Sequence, residues 1–171
     1  MSTADRRRFV MPDDRQEIYD TIARYCRGVD RHDFRLVEST YHPDAMDCRG
    51  SVERSVPEFM GWLGLTLDKY SSTMHFIGNH LAEVDRDTAL AETYAIVTHL
   101  GPDDDAGSSF TSGIRYVDHL ERRSGKWGVG RRWVVREWFR SDSSRLPTPA
   151  ERGLVAEPFD ERFAAARKLL D

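Results

Sequence analysis

Apolar residues at helical spacing mark the first predicted element of the chain. Ile18, Ile22, Tyr25 and Val29 recur every three or four residues, which places them on one face of an α-helix. Proline and two aspartates at positions 12–14 precede this pattern, and such residues favour a helix start. Apolar spacing also predicts two shorter helices, one within residues 34–41 and one after the segment 55–57.

The second half of the chain has a different pattern, with long runs rich in β-branched and aromatic residues. Strands are predicted at residues 45–49, 74–84, 88–100, 109–122 and 127–139. Tight turns join the long runs into hairpins, so the sheet is expected to be antiparallel and strongly bent. The predicted fold class is α+β: a cone-shaped bent antiparallel β-sheet packed against three N-terminal helices, an α+β barrel.

The 171 residues are enough for one domain with a substantial core. We predict a flexible N-terminal tail at residues 1–11, a cone domain at residues 12–140 and a C-terminal extension at residues 141–171. The extension is predicted to contain a short amphipathic helix, whose apolar residues are Phe159, Phe163, Ala166 and Leu170.

Composition narrows the classes of function. The formal net charge is −4, whereas a nucleic-acid-binding protein usually has a basic excess. No apolar run is long enough for a membrane span or resembles a secretory signal. Cys26 and Cys48 form neither a metal-like spacing nor a disulfide framework. We therefore expect a cytoplasmic protein without a nucleic-acid or membrane partner.

Two polar residues within the apolar pattern are the main candidates for chemistry. His75 lies in an aromatic strand, and Asp30 ends the first predicted helix. A buried carboxylate that binds one ring nitrogen of a histidine fixes its tautomer and leaves the other nitrogen free to abstract a proton. The sequence therefore predicts an Asp30–His75 pair that acts as a general base.

Tyr25 and an arginine of the last strand are predicted to complete the site. Tyr25 lies on the buried helix face, where its hydroxyl could meet a substrate oxygen, although it could equally be a core aromatic residue. Arg131 and Arg132 point to opposite sides of the strand, and periodicity leaves open which one faces inward. Arg132 could alternatively pair with Glu92 or Glu137 across the sheet.

Structural interpretations also exist for the candidate pair and for the other histidines. His75 could be a hydrogen-bonded core residue, and Asp30 could bind the backbone at the end of its helix. His80 has the opposite parity to His75, which predicts that it lies on the other sheet face. His99 and His119 lie near strand ends and could border a pocket or face solvent. The six histidines show no spacing typical of a metal site, and no phosphate or dinucleotide fingerprint is present.

Four segments resemble the SnoaL-like branch of the nuclear-transport-factor-2-like superfamily. They are residues 25–33, 41–45, 73–79 and the hairpin 116–132. Enzymes of this branch include hexachlorocyclohexane dehydrochlorinase, bile acid dehydratase and scytalone dehydratase. By motif, the resemblance implies Asp30 and His75 as the catalytic dyad, Tyr25 as the assisting tyrosine and Arg132 as the assisting arginine.

The resemblance implies a cofactor-independent lyase or isomerase, such as a dehydratase, that acts on a small apolar ring-containing ligand. Exposed sheet faces pair subunits in this fold, so a homo-oligomer, either a dimer or a trimer, is expected. Two alternatives belong to other classes. One is a non-catalytic small-molecule-binding protein of the same fold. The other is a structural subunit comparable to the β chain of a ring-hydroxylating dioxygenase.

Overall fold

The computed structural model describes residues 13–102 and 108–141. The elements within these ranges are α1 (Asp14–Asp30), α2 (Phe34–Glu38), β1 (Tyr41–Arg49), β2 (Val52–Ser55), α3 (Val56–Leu67), β3 (Ser72–Asp85), β4 (Thr88–Leu100), β5 (Phe110–Arg123) and β6 (Lys126–Ser141). The predicted N-terminal tail and the predicted C-terminal helix lie outside the described residues.

Side-chain caps fix where the helices begin. The Asp13 carboxylate accepts a hydrogen bond from the backbone N–H of Gln16 at 2.8 Å, which satisfies a free donor in the first turn of α1. At the start of α3, the Glu58 carboxylate accepts hydrogen bonds from the backbone N–H and the hydroxyl of Ser55. No helix of the described ranges is long and apolar enough to cross a membrane.

The six strands form one open sheet in the order β2-β1-β6-β5-β4-β3. The predicted α+β class is confirmed, but the sheet is mixed because β1 pairs with β6 in parallel. Hairpins join β3 through β6 and make these strands antiparallel. Strand β1 is far from β6 in the sequence, so no tight turn between them could indicate that they pair in parallel. Strand β2 is an addition to the prediction, and β1 begins earlier than predicted, at Tyr41.

The core lies between the helices and the inner face of the sheet. Ile18, Ile22 and Val29 of α1 are at most 2% exposed, as the helical spacing predicts. Small residues of β4, among them Ala91 and Ala95, form the opposing surface. Burial of this continuous apolar surface is the main force that holds α1 on the sheet.

The outer sheet face carries exposed apolar side chains on strands β3, β4 and β6. Examples are Met74, Phe76, Leu81, Tyr94, Ile96 and Trp138. Apolar residues that are exposed together in this way are typical of interaction surfaces. The homo-oligomer stays a prediction.

A bulge in β3 corrects one expectation. The pairing register with β4 shifts between Ile77 and His80, so the inward-outward alternation restarts after the bulge. His80 consequently faces the helices, where its ring contacts Tyr19 edge-on and its Nδ1 lies 2.8 Å from the Thr93 hydroxyl. The prediction that His80 lies on the opposite face from His75 is wrong, because parity cannot be counted across an extra residue.

Candidate active site

Asp30 and His75 are in direct contact. Asp30 is the last residue of α1, and His75 lies on the inner face of β3, with 2.6 Å between Asp30 Oδ1 and His75 Nδ1. Asp30 Oδ2 also accepts the backbone N–H of His75 at 2.8 Å, and the Thr73 hydroxyl donates to Oδ1 at 3.0 Å. These three hydrogen bonds hold the carboxylate in one orientation against the histidine ring.

The arrangement determines which ring nitrogen is available for chemistry. An ionised carboxylate only accepts hydrogen bonds, so the contact favours the neutral tautomer of His75 that has the proton on Nδ1 and the lone pair on Nε2. The His75 side chain is only 6% exposed, yet it lines a cavity. Nε2 has no hydrogen-bond partner within residues 13–102 and 108–141, and it is not among the fully buried polar atoms that lack a partner. Since His75 lines the cavity, Nε2 is accessible from it.

The cavity has a volume of about 810 Å³ and lies between the helices and the sheet. Its apolar wall includes Val29, Trp62, Leu63, Tyr70, Phe110 and Ile114. Its polar wall includes Tyr25, Arg49, His75, His99, Ser112 and Arg136. An apolar enclosure with a few convergent polar groups is typical of a small-molecule site.

Tyr25 lies in the cavity wall, as its predicted role requires. Its hydroxyl oxygen accepts a hydrogen bond from Arg49 Nη2 at 2.9 Å, so its own proton is free to be donated towards a ligand. Burial raises the pKa of Tyr25, and the positive charges of Arg49 and Arg132 partly oppose that rise. Tyr25 is therefore a neutral hydrogen-bond donor backed by a cation.

Arg132 is the inward-facing arginine, but it lies in the core and is not part of the cavity wall. Two 2.7 Å hydrogen bonds join its guanidinium to Asp118, and both residues are fully buried. The guanidinium carbon also lies 4.1 Å from the Tyr25 ring centroid and 4.4 Å from that of Tyr116. The structure thus places Arg132 behind Tyr25, with a tyrosine ring between it and the cavity.

The alternative pairing considered for Arg132 is wrong. Glu92 and Glu137 both bind Arg115 on the outer sheet face. Arg131 points outward and pairs with Glu53 at 3.1 Å. The carboxylate that Arg132 meets instead is its direct cross-strand neighbour Asp118.

Arg49 is a cavity residue that sequence reasoning missed. Arg49 Nε donates to Asp47 Oδ1 at 2.7 Å, and its guanidinium carbon lies 5.1 Å from the ring centroids of both Phe59 and Trp62. Strand alternation places Arg49 on the same side of β1 as the buried residues Ala45 and Asp47. This parity is the signal by which the sequence could have indicated Arg49.

His99 is a second cavity residue that was left outside the predicted site. Its ring stacks on Phe110 at 4.4 Å and meets Tyr70 edge-on at 4.8 Å. Burial lowers the pKa of His99 to about 4; the negative charge of Asp30 opposes this shift, and the positive charges of Arg49 and Arg136 act in the same direction as burial. His99 is therefore neutral near pH 7 and contributes a polar ring to the wall without adding charge.

Within residues 13–102 and 108–141, no three His, Cys, Asp or Glu side chains are grouped so that they could hold a metal ion. The Asp30 oxygens are already committed to His75 and Thr73.

An aspartate–histidine pair at the wall of a cavity in an α+β fold defines a candidate small-molecule site. Sequence comparison identifies the family to which this fold belongs. The sequence profile of the SnoaL-like domain matches residues 12–133. This chain belongs to the SnoaL-like family. An uncharacterized protein of Mycobacterium tuberculosis is 28% identical over 122 residues, which cover 70% of this chain and 82% of that protein.

Solved structures with the same fold include two with names that refer to enzymes. Hexachlorocyclohexane dehydrochlorinase from Novosphingobium barchaimii has a TM-score of 0.68 and 17% identity, covering 78% of this chain and 92% of that one. A candidate scytalone dehydratase from Novosphingobium aromaticivorans has a TM-score of 0.67 and 14% identity, covering 78% and 90%. A protein from Kribbella flavida has a TM-score of 0.69 and 19% identity, covering 74% and 93%. At these identities the similarity shows the fold alone.

Proposed function

We propose that this protein is a cofactor-independent lyase or isomerase that removes a proton from carbon in a small, largely apolar, ring-containing substrate. The observation that carries the proposal is the 2.6 Å contact between Asp30 Oδ1 and His75 Nδ1 at the wall of an 810 Å³ cavity. Asp30 orients the imidazole, and His75 acts as the general base through Nε2.

The reaction begins when Nε2 of His75 accepts a proton and the C–H bond of the substrate breaks. The electron pair either enters an adjacent carbonyl to form an enolate or expels a leaving group from the neighbouring carbon. Reprotonation of the enolate at another carbon completes an isomerisation, whereas departure of the leaving group completes a lyase reaction. The Asp30 carboxylate stabilises the imidazolium that forms in either case.

Negative charge that develops on a substrate oxygen would be stabilised by Tyr25. Its hydroxyl can donate a hydrogen bond to that oxygen, while Arg49 donates to the phenol oxygen from behind at 2.9 Å. Preorganised donors of this kind are an effective way to stabilise a developing oxyanion. We assign Arg132 a positioning role, since it contacts the face of the Tyr25 ring and does not reach the cavity.

The shape and lining of the cavity support the ring-containing substrate. Trp62, Tyr70 and Phe110 provide flat apolar surfaces, and the volume lies within the range of small-molecule sites. An open cavity of this size favours the enzyme over a purely structural subunit, in which side chains would be expected to fill it. The dehydrochlorinase and dehydratase names among the structural relatives support a lyase.

Proton abstraction can be tested without knowledge of the natural leaving group. The protein is incubated in D₂O with 1-tetralone or 2-cyclohexen-1-one, and deuterium uptake next to the carbonyl is followed by proton NMR. We expect the wild-type protein to accelerate exchange over buffer. His75→Gln and Asp30→Asn should each reduce that acceleration by about 10²–10⁴-fold, the usual contribution of a positioned base.

His80→Gln is the matched control, because His80 lies on the same strand and the same face but does not line the cavity. It should retain the wild-type exchange rate. Exchange that survives in His75→Gln would contradict the proposed base. Binding of both ketones without exchange would instead favour the non-catalytic small-molecule-binding protein.

A further inference from the structure

The polar wall of the cavity is cationic. Arg49 and Arg136 both line it, and no Asp or Glu does so within the described part of the chain. Two carboxylates bind residues of the wall without lining the cavity themselves: Asp30 binds His75, and Asp47 binds Arg49. Among residues 13–102 and 108–141, the charged side chains that a ligand in the cavity meets are therefore arginines.

Arg49 is held in place before any ligand arrives. Its Nε and Nη2 atoms donate to Asp47, and Nη2 also donates to the Tyr25 hydroxyl. Phe59 and Trp62 pack on its guanidinium, and its side chain is 24% exposed. Nη1 makes no hydrogen bond to any residue in the ranges 13–102 and 108–141, so it remains available to an acceptor in the cavity.

Arg136 lies close to Arg49 on the neighbouring strand. Arg49 pairs with Val134 in the parallel β1–β6 register, and Arg136 follows two residues later on the same face of β6. No hydrogen bond or ion pair joins Arg136 to another described residue, and its guanidinium carbon lies 5.7 Å from the centroid of the Phe139 ring. The sheet thus places the two arginines diagonally beside each other, and both line the same cavity.

The absence of an acidic partner among the described residues distinguishes Arg136 from five other arginines on β5 and β6. Five other arginines of these strands each form an ion pair with Asp or Glu: Arg115, Arg122, Arg123, Arg131 and Arg132. Burial is the main cause of the low pKa of His99, and the positive charges of Arg49 and Arg136 lower it further. The anion that balances Arg136 is absent from the described residues, which is expected if the ligand supplies it.

We propose that the ligand of this cavity is an organic anion, an apolar ring that bears a carboxylate held between Arg49 Nη1 and Arg136. Planar guanidinium groups match carboxylate geometry and can donate paired hydrogen bonds. The ring would then contact Trp62, Tyr70 and Phe110 on the apolar wall. This inference deepens the proposed function, since it uses the same cavity and names the class of substrate, but binding can be measured without turnover.

The test compares two probes of nearly equal shape, 1-naphthoate and the neutral 1-naphthamide, binding to the full chain in isothermal titration calorimetry. We expect naphthoate to bind at least about 10-fold more tightly at low salt, with a preference that shrinks as sodium chloride is added. Arg136→Gln should abolish the preference and leave the affinity for naphthamide unchanged. Arg131→Gln removes an arginine of the same strand that points outward, and it should preserve the preference.

Equal affinities for the two probes, or a preference that survives Arg136→Gln, would overturn the inference. Because Arg136 is exposed and unpaired, this variant should fold, which circular dichroism will check. Ketone exchange without a carboxylate preference would overturn the anionic substrate and leave the proposed function intact. A carboxylate preference without ketone exchange would support the anion site and count against the enzyme.

Discussion

The buried pair of Arg132 and Asp118 allows a quantitative test of the core. We predict that Asp118→Leu and Arg132→Met will each lower the free energy of unfolding by about 3–5 kcal/mol, because each leaves an unpaired charge in the interior. Both side chains are fully buried and share two 2.7 Å hydrogen bonds. Hydrogen bonds between charged groups contribute about 1.5–3 kcal/mol each, so the two bonds together account for about 3–6 kcal/mol, which overlaps this range.

The double variant, Asp118→Leu with Arg132→Met, separates the energy of the Arg132–Asp118 interaction from the cost of leaving one charge unpaired. With both charges replaced by apolar groups, the destabilisation should be smaller than the sum of the single effects by at least about 2 kcal/mol. The loss of the Tyr25 and Tyr116 contacts to the guanidinium limits this recovery. Urea unfolding followed by circular dichroism gives all four stabilities. Strictly additive effects would refute the mutual neutralisation of these two charges.

Three further predictions concern other parts of the molecule. The pKa of His99 falls from 6.5 to about 4 on folding, so the unfolded chain takes up the proton first as the pH falls. The free energy of unfolding should therefore decrease by at most about 3 kcal/mol between pH 6.5 and pH 4. Urea unfolding of His99→Phe should show a weaker pH dependence of that free energy, and the same pH dependence as in the wild-type protein would contradict the burial of a neutral ring. Gly28→Ala should lower the free energy of unfolding by about 1–3 kcal/mol, because the added Cβ would lie 2.7 Å from Val37 Cγ2 and 2.9 Å from Val37 N. Gly61→Ala is the control: nothing lies within 4 Å of its added Cβ, so thermal unfolding should show a gain in stability of up to about 1 kcal/mol. Burial raises the pKa of Cys26 from 9.0 to about 12, so alkylation of its thiol at pH 8, read by mass spectrometry, should be at least about 10³-fold slower in the folded protein than in urea; rapid labelling of the native thiol would refute this.

The sequence predicted the parts of the site that depend on local periodicity. Helical spacing placed Tyr25 on the buried face of α1 and Asp30 at its end, and strand alternation placed His75 on an apolar strand. Their contact follows from how α1 crosses β3, which a family resemblance could suggest but periodicity could not. The pairing of Asp30 with His75 is therefore a feature of the tertiary structure, in which a 2.6 Å contact joins Asp30 Oδ1 to His75 Nδ1.

The parts that could not be predicted depend on registers between distant strands. The bulge between Ile77 and His80 reverses the orientation of His80. The only local signal for this extra residue is the dipeptide Gly78–Asn79. The identity of the Arg132 partner requires the β5–β6 register, and the position of Arg49 beside Arg136 requires the parallel β1–β6 pairing. These registers are decided by the whole sheet, since they satisfy backbone hydrogen bonds and burial together.

The most direct test of the central claim is the protonation of the His75 ring, measured by long-range ¹H–¹⁵N correlation NMR at alkaline pH, where neutral imidazoles report their tautomer. The His75 resonances are assigned by their loss in His75→Gln. The Asp30 contact predicts the Nδ1–H tautomer with an unprotonated Nε2, and Asp30→Asn should shift this population. An Nε2–H tautomer in the wild-type protein would contradict the account, because the nitrogen that faces the cavity would then have no lone pair with which to accept a proton.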